Sequence, residues 1–171
     1  MAERYVVFLR GVTPMNLKMT ALRECLERAG FTDVKTILAS GNAAFSSKKR
    51  EDAALEATIE AAMKKSLGRV FPSYVRSARF LEELVARDPF RAYRVAKDGK
   101  RVVSFLREPP TPRPKLPVSL EGAVIHGMDA REVFTSYVRQ PGNPAFMKLL
   151  DRTFGDAITT RTWETVQKTI A

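Results

Sequence analysis

The feature that most constrains the fold is the order of strand-like and helix-like segments in the first half of the chain. Tyr5–Arg10 is rich in residues that favour strands. Apolar residues then recur at helical spacing as far as Ala29, and Gly30 follows as a natural helix stop. Two short strands, a second helix and a fourth strand complete the series, with predicted bounds Val34–Leu38, Ala43–Ser46, Glu51–Leu67 and Ser73–Arg76.

This order, β-α-β-β-α-β, predicts a ferredoxin-like domain, an antiparallel sheet with its helices on one face. In that arrangement the first strand pairs with the third. Arg10 ends the first strand, and the turn Ser40-Gly41-Asn42 leads into the third. We therefore expect Arg10, Ser40 and Asn42 to share one rim of the sheet.

The second half of the chain repeats this pattern in a reduced form. Five prolines between Glu108 and Pro117 exclude a regular helix at its first crossover. A helix that opens at Asn143-Pro144 precedes the last strand, and Thr162 caps a closing helix at Trp163–Ile170. The predicted strands are Arg101–Leu106, Gly122–Gly127, Arg131–Ser136 and Ala157–Thr160.

The sequence therefore predicts an α+β protein with two ferredoxin-like domains in tandem. The predicted division is a first domain at residues 1–90, a basic connector at 91–100 and a second, partly eroded domain with its closing helix at 101–171. The charge distribution marks the same region. Of a formal net charge of +10, the stretch Arg91–Lys115 holds eight basic and two acidic residues, a net charge of +6.

Such a basic stretch attracts nucleic acid, acidic proteins or anionic metabolites. A solvated connector that only improves solubility has the same composition, and the sequence leaves both readings open. The candidate nucleic-acid contacts are Arg91, Arg94, Lys97, Lys100 and Arg101.

The scarcity of histidine and cysteine removes several kinds of chemistry. One cysteine, Cys25, and one histidine, His126, cannot complete a zinc site, and no G-x-S-x-G turn accompanies His126 for a serine triad. Cys25 lies on the apolar stripe of the first helix, which is typical of a core thiol. His126 ends a strand, which favours a structural role. The sequence predicts no metal and no cofactor, names no catalytic residue and leans away from an enzyme.

The lengths of the apolar runs and the cysteine count indicate in which compartment of the cell the protein lies. The longest, such as Tyr5–Leu9, are too short to cross a bilayer, and no signal-peptide core precedes the first strand. A single cysteine excludes an internal disulfide. We expect a cytoplasmic protein without a membrane partner; the oligomeric state does not follow from the sequence.

Three functions remain open. The first is binding of a small anionic ligand at the rim, where Arg10, Ser40 and Asn42 offer directed hydrogen bonds and Arg161 adds a further cation. The rim has a structural alternative, in which these residues serve the turn. The second function is weak electrostatic nucleic-acid binding through the basic connector. The third is a structural or protein-interaction role.

The strand faces argue against base reading by the first sheet. An RNA-recognition module stacks bases on aromatic residues of its central strands. The third strand begins Gly41-Asn42-Ala43-Ala44-Phe45 and lacks the paired aromatic residues. Tyr5 and Phe8 fall on opposite faces of the first strand, so they do not form one platform.

Seven segments in the right order carry a family resemblance over nearly the whole chain. They are Y-V-V-F-L-R-G, A-G-F-T-D-V-K-T, S-G-N, F-P-S-Y-V-R-S, S-F-L-R-E-P-P, R-E-V-F and T-T-R-T-W. With them the chain resembles a bacterial domain-of-unknown-function family, number 1697. The resemblance implies duplicated ferredoxin-like domains and brings no established activity. Members often carry a longer, glycine-rich loop after the first R-G, whereas here Val12–Asn16 is short and contains Pro14, which disfavours a phosphate cradle.

Overall fold

The computed structural model describes residues 2–171, which group into two compact units. The first unit runs as far as Glu83 and includes Gln167–Ala171, and the second is Leu84–Val166. Residues 84–100 thus group with the second unit and the last five residues with the first. The predicted domain division at residues 90 and 100 differs from this grouping and stays a prediction.

The chain is an α+β protein with two antiparallel sheets. The elements of the first half are β1 Ala2–Leu9, α1 Met19–Arg28, β2 Thr32–Ile37, β3 Asn42–Lys48, α2 Asp52–Leu67, β4 Ser73–Ser77 and α3 Ala78–Arg87. Every strand and helix predicted for this half is present, with ends shifted by a few residues. In the first sheet the strand order is β2-β3-β1-β4, and β1 pairs with both β3 and β4.

The core of the first unit joins one face of β1 to α1 and α2. Alternate β1 residues, Tyr5, Val7 and Leu9, are buried in it because successive strand residues point to opposite faces. Cys25 lies in the same core and is 2% exposed, as predicted for a core thiol. The other buried members from the two helices are Leu22, Leu26, Leu55, Ile59 and Met63.

The outer edge of β4 is covered by carboxylates of α2. The buried Glu56 accepts a hydrogen bond from the Val75 backbone N–H at 2.9 Å. One turn later, Glu60 accepts from the Ser73 backbone N–H at 2.8 Å. The helix therefore supplies the acceptors that a further strand would otherwise provide, which protects an edge that is prone to pairing with other chains.

The second unit repeats this strand order with one addition. Its elements are a 3-10 helix Pro89–Ala92, β5 Gly99–Leu106, β6 Val118–Leu120, β7 Ala123–Met128, β8 Glu132–Val138, α4 Ala145–Phe154, β9 Ile158–Thr162 and α5 Trp163–Lys168. The sheet has the order β6-β7-β8-β5-β9, so the four strands other than β6 follow the order of the first sheet. The proline-rich stretch forms no helix, as predicted, but the short strand β6 that follows it was not predicted.

The core of this unit lies between its sheet and α4, and its buried members include Leu149 and Leu150 from α4 with Ile125 and Val133 from the sheet. Trp163 is 1% exposed and meets the ring of Phe90 edge-on, so it packs inside the unit. Across residues 2–171 no helix has the length and apolar character needed to cross a membrane.

Candidate functional site

The predicted rim of the first sheet forms as the strand order requires. Phe8 pairs with Asn42 across β1 and β3, and the Leu9 N–H donates to the Gly41 carbonyl at 2.8 Å. Arg10 follows directly, and its own N–H donates to the Pro72 carbonyl at 2.9 Å. The prediction that the end of the first strand and the Ser40-Gly41-Asn42 turn share one edge is therefore confirmed.

Within this rim the amide of Asn42 serves the turn. Asn42 is completely buried, and its Nδ2 donates to the Ile37 carbonyl and to Ser40 Oγ, both at 2.9 Å. These two bonds close the connection between β2 and β3. Ser40 is exposed and Arg10 is half-buried, so the groups that an external anion reaches at this rim belong to these two residues.

The loop that follows Arg10 is fastened by its own asparagine. Asn16 Oδ1 accepts from the Thr13 N–H, and Asn16 Nδ2 donates to the Gly11 carbonyl, both at 2.8 Å. Because the Thr13 N–H is already engaged, the loop does not offer it to a phosphate. Val12 in turn lies against Gly41, where a Cβ would come within 2.9 Å of the Val12 Cβ. No motif in the sequence indicates this role of Asn16.

Arg161 belongs to the second unit and lies in β9, opposite Val103. It is 8% exposed, and its Nη1 donates to Thr159 Oγ1 at 2.8 Å and to the Thr160 carbonyl at 2.9 Å. Burial lowers the pKa of its guanidinium to about 10. The helix α5 begins at Trp163 as predicted, and β9 continues through Thr162, two residues past its predicted end at Thr160.

An arginine of the first unit occupies the matching place. Arg76 lies in β4 opposite Val6, is 1% exposed, and donates from Nη1 to the Val75 carbonyl at 2.9 Å. In both units the next residue carries a hydroxyl that accepts a hydrogen bond from a backbone N–H in the first turn of a helix. Ser77 accepts from the Phe80 N–H, and Thr162 accepts from the Thr165 N–H. Two buried arginines thus hold equivalent positions, which favours a structural role for Arg161.

The basic stretch predicted as a connector is anchored in the second unit by two aromatic side chains. Phe90 is 4% exposed and meets the rings of Phe134 and Trp163 edge-on at 5.8 and 5.3 Å. The Tyr93 ring stacks on His126 with 5.0 Å between centroids and 17° between planes. Lys100 and Arg101 already belong to β5.

The basic side chains of this stretch point outward. Arg91 is 77% exposed and lies 3.7 Å from Asp88, and Arg101 lies 3.8 Å from Glu164. Three further cations are exposed and have no ion-pair or hydrogen-bond partner anywhere in residues 2–171: Arg94, Lys97 and Lys100. We call Arg91, Arg94, Lys97, Lys100 and Arg101 the basic segment.

The comparisons with known proteins place the chain in a family. The model of the family described as a protein of unknown function (DUF1697) matches residues 2–120. The chain belongs to this family. The conserved bacterial protein SP0830 from Streptococcus pneumoniae has a similar structure, with a TM-score of 0.74 and 19% sequence identity over 99% of this chain and 97% of that one. This likeness shows a shared fold. No curated protein matches the chain.

The single histidine of this family member has a structural setting. His126 Nε2 lies 2.7 Å from Ser136 Oγ at a bulge between Ile125 and Gly127 in β7. Burial lowers the pKa of its imidazole. Ser136 is only 5% exposed in the middle of β8, so a substrate does not reach its hydroxyl. Among residues 2–171, no three His, Cys, Asp or Glu side chains are grouped closely enough to hold a metal ion.

Sequence reasoning missed a group of arginines around the turn between β7 and β8. Arg113 donates to the Met128 carbonyl at 2.6 Å, Arg131 donates to the Arg107 carbonyl at 3.2 Å, and Arg87 pairs with Asp129. These arginines are spread over 45 residues of sequence, and the pairing of β8 with both β7 and β5 brings them to their partners. Arg87 and Arg113 hold the turn itself, whereas Arg131 ties the turn to the residue after β5, so the group supports the hairpin.

Proposed function

We propose that the protein binds polyanions with a phosphodiester backbone, weakly and without sequence preference, through the basic segment. The observation that carries this proposal is the exposure of Arg94, Lys97 and Lys100, which have no ion-pair or hydrogen-bond partner within residues 2–171. Because these cations are neither paired nor buried, a phosphate approaches them without first breaking an ion pair. The role is binding rather than catalysis.

The aromatic anchors strengthen this proposal. Phe90 and Tyr93 hold the backbone of the segment against the second sheet, which limits the conformational entropy that binding has to remove. Neutralised phosphates release condensed counterions, which supplies a favourable free energy that does not depend on base identity. We therefore expect a dissociation constant of roughly 10⁻⁶–10⁻⁴ M for single-stranded oligonucleotides.

The first sheet offers no surface for reading bases. Tyr5 is 2% exposed, and Phe8 and Phe45 are fully buried. Base stacking needs an accessible aromatic face. This agrees with binding that does not discriminate between sequences.

The experiment is fluorescence anisotropy of a labelled single-stranded oligonucleotide at low salt. The test variant is Arg94→Glu/Lys97→Glu/Lys100→Glu. The matched control, Lys48→Glu/Lys49→Glu/Lys64→Glu, reverses three exposed lysines of the first unit and changes the net charge equally. We expect the affinity for the oligonucleotide to fall at least tenfold in the test variant and less than threefold in the control. Equal losses would assign the binding to net charge alone and defeat the proposal.

A small anionic ligand at the rim of the first sheet is a second candidate. It is favoured by the exposed residue Ser40, which lies on the same sheet edge as the half-buried residue Arg10. A thermal-shift screen against phosphate and small carboxylates tests it, because a specific ligand stabilises the native state. Arg10→Ala should abolish the shift. A ligand whose shift persists in Arg10→Ala does not bind as proposed.

We propose further that the two units are ferredoxin-like domains in tandem. Support comes from the strand order, which the second sheet repeats when β6 is set aside. We also propose that the protein is cytoplasmic. The buried free thiol of Cys25 fits a reducing compartment.

A further inference from the structure

A groove of about 450 Å³ lies between α1 and α2 of the first unit. Its buried side is formed by Cys25 and by Ala29 and Ala62, which pack against the core of the unit. Ala61 lines its outer part. Small side chains on both helices thus leave an apolar trough whose volume is that of a ligand site.

The polar groups of the groove divide into two kinds. Its hydroxyls are turned to the helix backbone: Thr58 Oγ1 donates to the Ala54 carbonyl and Ser66 Oγ to the Ala62 carbonyl, both at 3.0 Å. Its cations are Arg28 on α1 and Lys65 on α2, both exposed. Neither cation has an ion-pair or hydrogen-bond partner within residues 2–171.

We infer that this groove binds a single-chain amphiphile with an anionic head, such as a fatty carboxylate. The alkyl chain would displace water from the alanine-lined trough, and the carboxylate would meet Arg28, whose planar guanidinium suits two parallel hydrogen bonds. Lys65 supplies a second positive charge from the other wall. Among residues 2–171 no aromatic ring lines the groove, so these residues offer a nucleotide base nothing to stack on.

The chain length of the ligand tests the apolar part of this inference. Isothermal titration calorimetry of the full chain would use octanoate, decanoate and dodecanoate, each below its micelle concentration. We expect one site, with the affinity rising about three- to fourfold per added methylene until the groove is filled. Binding that is absent for all three, or that has many equivalent sites, overturns the inference.

Two sets of variants test the geometry. Arg28→Gln/Lys65→Gln should weaken decanoate binding at least tenfold. The control Lys48→Gln/Lys64→Gln, which has the same charge change outside the groove, should leave binding within twofold. Ala61→Trp places a large ring in the exposed part of the groove and should abolish binding. Thermal melts confirm that each variant is folded. An equal loss in the control, or unchanged binding in Ala61→Trp, contradicts the assignment.

Discussion

Replacing Glu56 with alanine tests how the first sheet protects its edge. The Glu56 carboxylate is 3% exposed and accepts the N–H of Val75, which is itself fully buried. In Glu56→Ala that N–H has lost its acceptor. A buried donor left unpaired costs about 1–3 kcal/mol, and hydrogen bonds to charged groups lie at the upper end of the scale.

We therefore expect Glu56→Ala to lower the free energy of unfolding by about 2–3 kcal/mol. For a chain of this length each kcal/mol shifts the melting temperature by about 2–4 °C, so the melting point should fall by roughly 4–12 °C. Glu56→Gln keeps a carbonyl acceptor at nearly the same place. Glu56→Gln should therefore lower the free energy of unfolding by less, about 1 kcal/mol, since a neutral acceptor replaces a charged one.

The assay is urea unfolding followed by circular dichroism, with hydrogen exchange of the Val75 amide as a local readout. Glu56→Ala should accelerate that exchange more than Glu56→Gln does. An alanine variant within about 0.5 kcal/mol of the wild type, or an equal loss of stability in both variants, would refute this role of Glu56.

Three further predictions concern single side chains. Thr135 Oγ1 is buried without a hydrogen-bond partner among the described residues, so Thr135→Val should raise the free energy of unfolding by about 1 kcal/mol in a urea titration. Gly41 has a φ of +85°, and a Cβ added there would come within 2.9 Å of the Val12 Cβ, so Gly41→Ala should lower the free energy of unfolding by about 1–3 kcal/mol. An unchanged free energy of unfolding would contradict the contact. Burial lowers the pKa of His126 below 6.5, so its contribution to stability is complete above that pH and is lost as the pH falls through the folded-state pKa. Melting curves at pH 5.5 and 7.5 should show a smaller difference for His126→Gln than for the wild type.

The sequence was sufficient for the first sheet because its signals are local. Alternating apolar residues in β1 and helical spacing in α1 and α2 locate each element, and the β-α-β-β-α-β order then fixes which strands are neighbours. Asn42 was placed at the correct edge for this reason. Whether its amide was available for a ligand depended on the path of the turn, which brings the Ile37 carbonyl and Ser40 Oγ within reach.

Features that depend on distant partners were not predictable. The strand β6 has only three residues and follows a proline-rich stretch. It forms because it pairs with β7, where Val118 lies opposite Ile125. Tyr93 carried no periodic signal, and its stacking partner, His126, lies 33 residues further along the chain. The arginines around the β7–β8 turn were missed for the same reason.

The salt dependence of oligonucleotide binding tests the proposed function most directly. If Arg94, Lys97 and Lys100 each neutralise one phosphate of a single strand, the logarithm of the association constant should fall with the logarithm of salt with a slope of about −2. Removing one contact with Lys97→Gln should make that slope shallower by about 0.7. A slope near zero, or a slope that Lys97→Gln leaves unchanged, would contradict binding through the basic segment.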